Sequence, residues 1–219
     1  MNYGYKHPVI RDTDYWLGRL DQEVLVPNRD WFNWIPLYEP QFGNGFDTNG
    51  CTVWGTENAL ETLLKRITGK DFNFSERAVY VGTHTRPPGN DPFTIGEWIR
   101  HNGLIDDAVL PMTNTFDEFI QPDPLAQDVV DKGKQFLTEY EIGQEYVVHG
   151  EMPLVKKQEL ISQALQYSPL GVSLFAWKQD QNGLYYRPAR APDCHWCVLI
   201  GEVDAYYVIF DSYDQSIKN

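Results

Sequence analysis

Between Gly50 and Gly69 the chain spells a single helix with one thiol at its head. Apolar residues recur at helical spacing from Val53 through Ala59, Leu60, Leu63 and Leu64 to Ile67, and Gly69 follows as the C′ residue that stops the element. The preceding Asp47-Thr48-Asn49-Gly50 is turn text that permits a tight approach, so Cys51 falls on the first helical turn. The unpaired N–H groups and positive dipole end of a helix N-terminus favour an anion, so a thiol placed there ionises more readily than in a free peptide. Chemistry at Cys51 is one reading; a small buried hydrophobe on an amphipathic helix is the other.

Length and charge narrow the class. At 219 residues the chain can bury a sizeable core as one large domain or two lobes. A net charge of −13 without a basic stripe argues against nucleic acid as a partner. No apolar run approaches the roughly 18 residues of a membrane span. Met1 to Lys6 carry no apolar signal region, so no membrane partner is expected and the expected location is cytoplasmic. Three cysteines without framework spacing fit a reducing compartment better than a disulfide scaffold. Aromatic residues make up 14% of the chain, which suits a large core and a ring-lined groove.

Residues 1–27 read as an extension broken by Pro8 and Pro27, with Val24, Leu25 and Val26 able to lie as a strand against the body. A propeptide, an arm and plain packing all remain open for it. Asp30 to Leu37 is a dense aromatic lead-in to the Cys51 turn. Further on, Asn73 or Ser75 caps a short helix over Ala78, Val79 and Tyr80, and Thr85 to Pro92 is too rich in Pro and Gly for regular structure. Thr94 with Glu97 forms a capping-box pattern for a helix that ends at Asn102-Gly103. Phe116 to Ile120, Leu125 to Leu137 and Val155 to Tyr167 read as helices. Gln144 to His149, Gly171 to Trp177, Leu184 to Tyr186, His195 to Gly201 and Ala205 to Phe210 read as strands. A helical half followed by a sheet half predicts an α+β fold of two lobes, with the cleft between them as the place for a site.

A thiolate nucleophile needs a base that takes its proton and returns it to a leaving group, and a polar residue that holds the base in its working tautomer. His7, His84, His101, His149 and His195 compete for the first role. His195 opens the most apolar strand, which would hold an imidazole rigidly; a structural histidine at a strand start is the plainer reading. If the next strand returns antiparallel, Asp211 lands beside His195 as the orienting carboxylate. Cys194 and Cys197 form a CxxC, but in a strand positions i and i+3 point to opposite faces, which argues against a metal or a redox pair.

From Asp30 to Tyr213 the chain resembles a divergent papain-like cysteine peptidase. The Cys51 to His195 separation of 144 residues lies within the interval of about 130–150 of papain-type enzymes. Asp30-Trp31 resembles the family's Asp-Trp at the mature N-terminus, Cys51 its helix-starting nucleophile, and Ser75-Glu76 its Ser-Glu. Gly96-Glu97-Trp98-Ile99 through Leu110-Pro111 resembles the passage at the lobe boundary. Gly171 to Leu174, His195 to Gly201 and Asp211-Ser212-Tyr213 resemble the strand before the active histidine, the histidine strand and the Asn-Ser-Trp.

The resemblance implies a papain-like two-lobe fold: a helical lobe over about 45–120 with the central Cys-bearing helix, and a β-barrel-like lobe over about 121–219, together a peptidase domain at 28–219. It implies hydrolysis of peptide or protein substrates by a monomer, through Cys51, His195 and Asp211, a thioester intermediate, and no cofactor or metal. Gln41, ten residues before Cys51, is the oxyanion candidate if Phe42 to Asp47 forms a larger loop. Departures are also present: Asp211 stands for asparagine, Tyr213 for the shielding tryptophan, and Gly89-Asn90-Asp91-Pro92 for a Gly-Gly that pairs with substrate. The lead-in resembles phage-encoded members. An inactive papain-like binding or virion-associated module and a peptidoglycan-cleaving cysteine peptidase are the alternatives.

Overall fold

The computed structural model describes residues 4–9, 17, 23–43, 45–148, 152–175, 178, 180–188, 194–204 and 206–218. In chain order its elements are β1 (Gly4–Tyr5), β2 (Phe42–Gly43), β3 (Phe46–Asp47), α1 (Cys51–Thr68), α2 (Glu76–Gly82), β4 (Gly89–Asn90), α3 (Pro92–Asn102), α4 (Phe116–Phe119), α5 (Gln127–Phe136) and α6 (Leu154–Ala164). The strands β5 (Leu170–Leu174), β6 (His195–Val203), β7 (Tyr206–Asp211) and β8 (Asp214–Lys218) follow. Among the described residues no helix is long and apolar enough to cross a membrane.

The helix α1 divides two cores. On one side Val53, Trp54 and Leu64 pack with Phe74, Val79, Tyr80, Ile95, Ile99, Leu104 and Phe119. On the other, Ala59 and Leu63 pack against the sheet core of Val26, Trp31, Leu165, Val198, Leu199, Ile200, Val208 and Phe210. Apolar residues on two faces are what a helix buried in both directions requires. Gly69 ends it in the left-handed region at φ 72°, its N–H donating to Lys65 O, as the punctuation predicts.

The strands β5-β6-β7-β8 form one antiparallel sheet in that order. Leu174 faces His195 across β5/β6, and Val198 faces Phe210 across β6/β7. The expected barrel-like lobe is thus an open four-stranded sheet among the described residues, covered on one face by α1. A register shift between Leu199 and Gly201 leaves the Ile200 carbonyl to accept from Trp31 N–H at 2.8 Å, and Trp31 Nε1 donates to Leu165 O at 2.7 Å. These two bonds seat the aromatic lead-in.

Several local expectations change. Asp91, not Thr94, caps α3: its carboxylate accepts from Thr94 N–H at 2.9 Å and from the Thr94 hydroxyl at 2.7 Å, with Pro92 at the first turn. Ser75 caps α2. The stretch Thr85 to Pro92 is not wholly irregular, because Gly89–Asn90 pairs in parallel with Gly4–Tyr5. Gln144 to Val148 and Leu184 to Tyr186 form no named strand, while β8 has no counterpart in the sequence reading. Leu25 and Val26 lie against the body through N–H bonds to Gln166 O rather than as a strand. His149, Trp177, Ala205 and most of residues 10–22 lie outside the described residues.

Between α1, α2 and the lead-in lies a group of buried carboxyls. Glu57, Glu61 and Glu76 are 1%, 6% and 7% exposed, and Glu39 approaches Glu76 and Asn73. Burial pushes Glu57 and Glu76 well above the usual carboxylate range and Glu61 up to about 8, despite the bond Glu61 accepts from Phe74 N–H.

Candidate active site

The turn that delivers Cys51 is fixed by main-chain and hydroxyl bonds. Thr48 Oγ1 accepts from Gly50 N–H at 3.1 Å and donates to Gln41 O at 2.9 Å, while Tyr80 donates its hydroxyl to Thr48 O at 2.8 Å. Gly50 has to lack a side chain, since a Cβ would stand 2.6 Å from the Trp54 ring. Cys51 is therefore held at the first position of α1, fully buried.

The strands β2 and β3 pair Phe42 with Asp47 and Gly43 with Phe46, so the extra residues before the cysteine are looped out as a hairpin. That closure returns Thr48 to Gln41, and Thr48 N–H donates to Gln41 O at 3.3 Å. Gln41 is fully buried. Its Oε1 accepts from Ser212 Oγ at 2.7 Å, which turns its amide nitrogen toward Asp47 Oδ1, 3.4 Å away.

His195 is the first residue of β6 and Asp211 the last of β7; both are fully buried, and His195 Nε2 bonds Asp211 Oδ1 at 2.7 Å. The same carboxylate oxygen accepts from Tyr213 N–H at 3.3 Å and from the Cys197 thiol at 3.4 Å. The Tyr213 ring lies 5.1 Å from the imidazole and stacks at 5.6 Å on Phe42. Its hydroxyl donates to Asp47 Oδ2 at 2.7 Å, joining the hairpin to the sheet corner. Asp47 Oδ1 also takes Asn49 N–H at 2.8 Å, so this carboxylate braces the turn as well.

The main-chain N–H groups of Trp196 and Thr52 point at the Cys51 sulfur, which places the thiol against the residue next to His195. Burial nonetheless pushes the Cys51 thiol far up, and the Asp211 and Asp47 charges add to it; the two N–H groups oppose this without prevailing. The helix terminus was expected to ease ionisation. Here desolvation is the larger effect, and Gly4 of β1 lies against the main chain of Asn49 and Cys51.

Gly4 sits at φ +114° with its ideal Cβ position 3.1 Å from Cys51 N and 2.2 Å from Asn49 O. Tyr5 stacks on Trp196 at 5.6 Å, and Lys6 N–H donates to Asn90 O at 2.9 Å. The N-terminal strand thus lies between the rim strand β4 and the head of α1.

The structure pairs His195 with Asp211 in a buried place, sets Cys51 against the main chain of Trp196, the next residue, and sets Gln41 beside Ser212 and Asp47. His7, His84 and His101 lie elsewhere: on Tyr5, Asp123 and Glu97 respectively. Sequence reasoning did not find Asp47, Ser212 or Cys197 as members of the cluster. Cys197 was findable, because the same hairpin register that brings Asp211 back carries it opposite residue 197. His195, Cys197 and Asp211 are also the group of potential metal ligands that lie within 4.8 Å of one another among the described residues. Their spacing does not suit an ion: two ligands on one tetrahedral zinc stand about 3.3–3.5 Å apart, whereas Nε2 and Oδ1 are in direct hydrogen-bond contact at 2.7 Å.

No protein-family model and no curated protein matches the sequence. Solved structures do match. Digestive procathepsin L 3 of Tenebrio molitor larval midgut aligns over 97% of this chain with a TM-score of 0.62 at 16% identity; the chain spans 66% of that protein, just under two thirds. The cysteine protease CMS1MS2 of Carica candamarcensis, in complex with E-64, aligns over 84% of this chain and 81% of its own, with a TM-score of 0.61 at 15% identity. Bromelain of Ananas comosus, in complex with the E64 inhibitor, has the same coverage with a TM-score of 0.56 at 17% identity. The fold of this chain is that of the papain-like cysteine proteases.

Proposed function

We propose that the chain is a cysteine endopeptidase that cleaves peptide bonds through Cys51, His195 and Asp211, and that the form seen in the structure is self-blocked by residues 4–6. The observation that carries the reading is the buried 2.7 Å bond between His195 Nε2 and Asp211 Oδ1, next to a thiol at a helix N-terminus. With Nε2 committed to Asp211, Nδ1 is the nitrogen left to exchange a proton with Cys51. The thiolate attacks the substrate carbonyl. The Cys51 N–H and the Gln41 amide, oriented by Ser212, stabilise the oxyanion. His195 gives its proton to the leaving amine, then takes one from the water that cleaves the thioester.

Substrate has to displace β1 before it reaches the thiol. Alignment over 97% of the chain to a pro-enzyme, against 84% for the two proteases solved with E-64, supports a pro-segment role for the N-terminal residues. Cys51, Cys194 and Cys197 are buried and joined by no disulfide, which suits the reducing cytoplasm.

Peptide mapping after incubation with E-64 at pH 6 tests the reading. With β1 lifted by Gly4→Ala, Cys51 should be labelled, and it should be spared when His195→Ala is added to that variant; cleavage of a fluorogenic peptide library should follow the same pattern. Equal labelling of both proteins would leave an inactive binding or virion-associated module. Fragments released from purified peptidoglycan, but not from peptides, would reassign the substrate.

A further inference from the structure

We propose that Cys197 is a positioning residue for the His195–Asp211 pair: its buried thiol donates to the carboxylate oxygen that holds the imidazole and thereby sets the basicity of His195. The inference rests on the peptidase reading for its catalytic meaning, but its physical content concerns only these three side chains. Side chains at i and i+2 of a strand share a face, so Cys197 lies on the side of β6 that carries His195. The register that sets Val198 opposite Phe210 carries Cys197 opposite Asp211, and His195 reaches the same carboxylate diagonally. Cys197 Sγ stands 3.4 Å from Asp211 Oδ1, with Cys197 1% exposed and Asp211 fully buried.

Asp211 Oδ1 therefore serves the imidazole, the Cys197 thiol and Tyr213 N–H together. Every donor on a carboxylate withdraws charge that would otherwise stabilise the imidazolium. A thiol is a weak donor, so Cys197 fills the position while leaving most of that charge to His195. Valine or alanine would donate nothing, and serine would donate more strongly.

The sign follows. Loss of the donor leaves Asp211 more negative toward Nε2, holds the imidazolium more tightly and raises the His195 pKa. Only the part of the thiol's bond that differs between imidazole and imidazolium enters the shift, so the full strength of a weak donor, about half a unit to one, is its upper bound.

The test is an NMR titration of the His195 ring in the full chain carrying labelled histidine, assigned by comparison with His195→Gln. Cys197→Ala and Cys197→Val should both move the His195 titration upward by up to about half a unit to one, and Cys197→Ser should leave it at or below the native value. Valine fills the space of the thiol and alanine does not, so agreement between them separates hydrogen bonding from packing. A purely structural role would shift thermal melting in proportion to lost volume and leave the titration in place. Titrations of the Ala and Val variants at or below the native value would overturn the proposal. If no protein in the series cleaves peptides or reacts with E-64 even when Gly4→Ala is added to lift β1, while the titration shift is present, the peptidase reading fails and the link between Cys197 and His195 stands.

Discussion

Gly4→Ala is the sharpest perturbation of the blocked state. The new Cβ would stand 2.2 Å from Asn49 O and 2.5 Å from Asn49 C, both main-chain atoms of the braced turn before α1. That lies ~1.5 Å inside ordinary van der Waals contact, and no flexible side chain is present to yield. The φ of +114° adds strain on the order of 1–3 kcal/mol for any residue but glycine. Taking ~2 kcal/mol as the least consequence, the fraction of molecules with β1 lifted rises about 30-fold. Lifting removes the Tyr5 stack on Trp196 and the Lys6–Asn90 bond, and it relieves the burial that holds the Cys51 thiol in its protonated form. Both changes act in one direction. The rate of Cys51 alkylation by iodoacetamide, followed by peptide mass spectrometry, should rise at least 30-fold. Gly69→Ala is the control: it also places a side chain in the left-handed region, at φ +72°, but its Cβ meets nothing within 4 Å among the described residues. A Gly4→Ala protein that melts like the native chain and alkylates at the native rate would refute the idea that β1 guards the thiol.

Other outcomes follow from the same geometry. Gln41→Ala should lower kcat/KM for peptide cleavage by about 10²–10³ if the amide serves the oxyanion. Ser212→Ala, which only frees the Gln41 amide to rotate, should lose less, and equal losses in steady-state assays would count against the assignment. The buried carboxyls make stability depend on pH in the sense opposite to an ion-paired acid. Because the folded pKa of Glu61 lies near 8 and its ordinary value is 4.5, its contribution is complete below about 4.5 and is lost as pH rises through about 8. Urea midpoints should therefore fall between pH 5 and pH 8.5, and Glu61→Gln should flatten that slope while keeping an oxygen for Phe74 N–H. An unchanged slope in the variant would locate the proton uptake elsewhere.

What was legible in the sequence was whatever carries its own local period or punctuation. Gly50 and Gly69 bracket α1 because a tight approach and a left-handed cap leave glycine as the residue that fits. His195 and Asp211 were legible as partners because an antiparallel return converts sequence distance into spatial distance. Short main-chain pairings were not legible. The β1–β4 contact joins two two-residue strands through backbone groups, and nothing in Gly4-Tyr5 or Gly89-Asn90 advertises the other. The Asp47–Tyr213 bond spans 166 positions and belongs to no motif, so only the assembled hairpin and sheet corner create it. At Asp91 the failure was a competition between two good caps: a carboxylate that bonds both Thr94 groups, followed by proline, displaced the capping box.

The placement of α1 between two cores has a consequence for how the molecule comes apart. Val53, Trp54 and Leu64 belong to one apolar cluster, Ala59 and Leu63 to the other, so neither half can open without uncovering a face of the same helix. Amide exchange in α1 should then report global unfolding only, with protection at Leu60 to Leu64 equal to the full unfolding free energy. The two cores are, by this measure, parts of one cooperative unit.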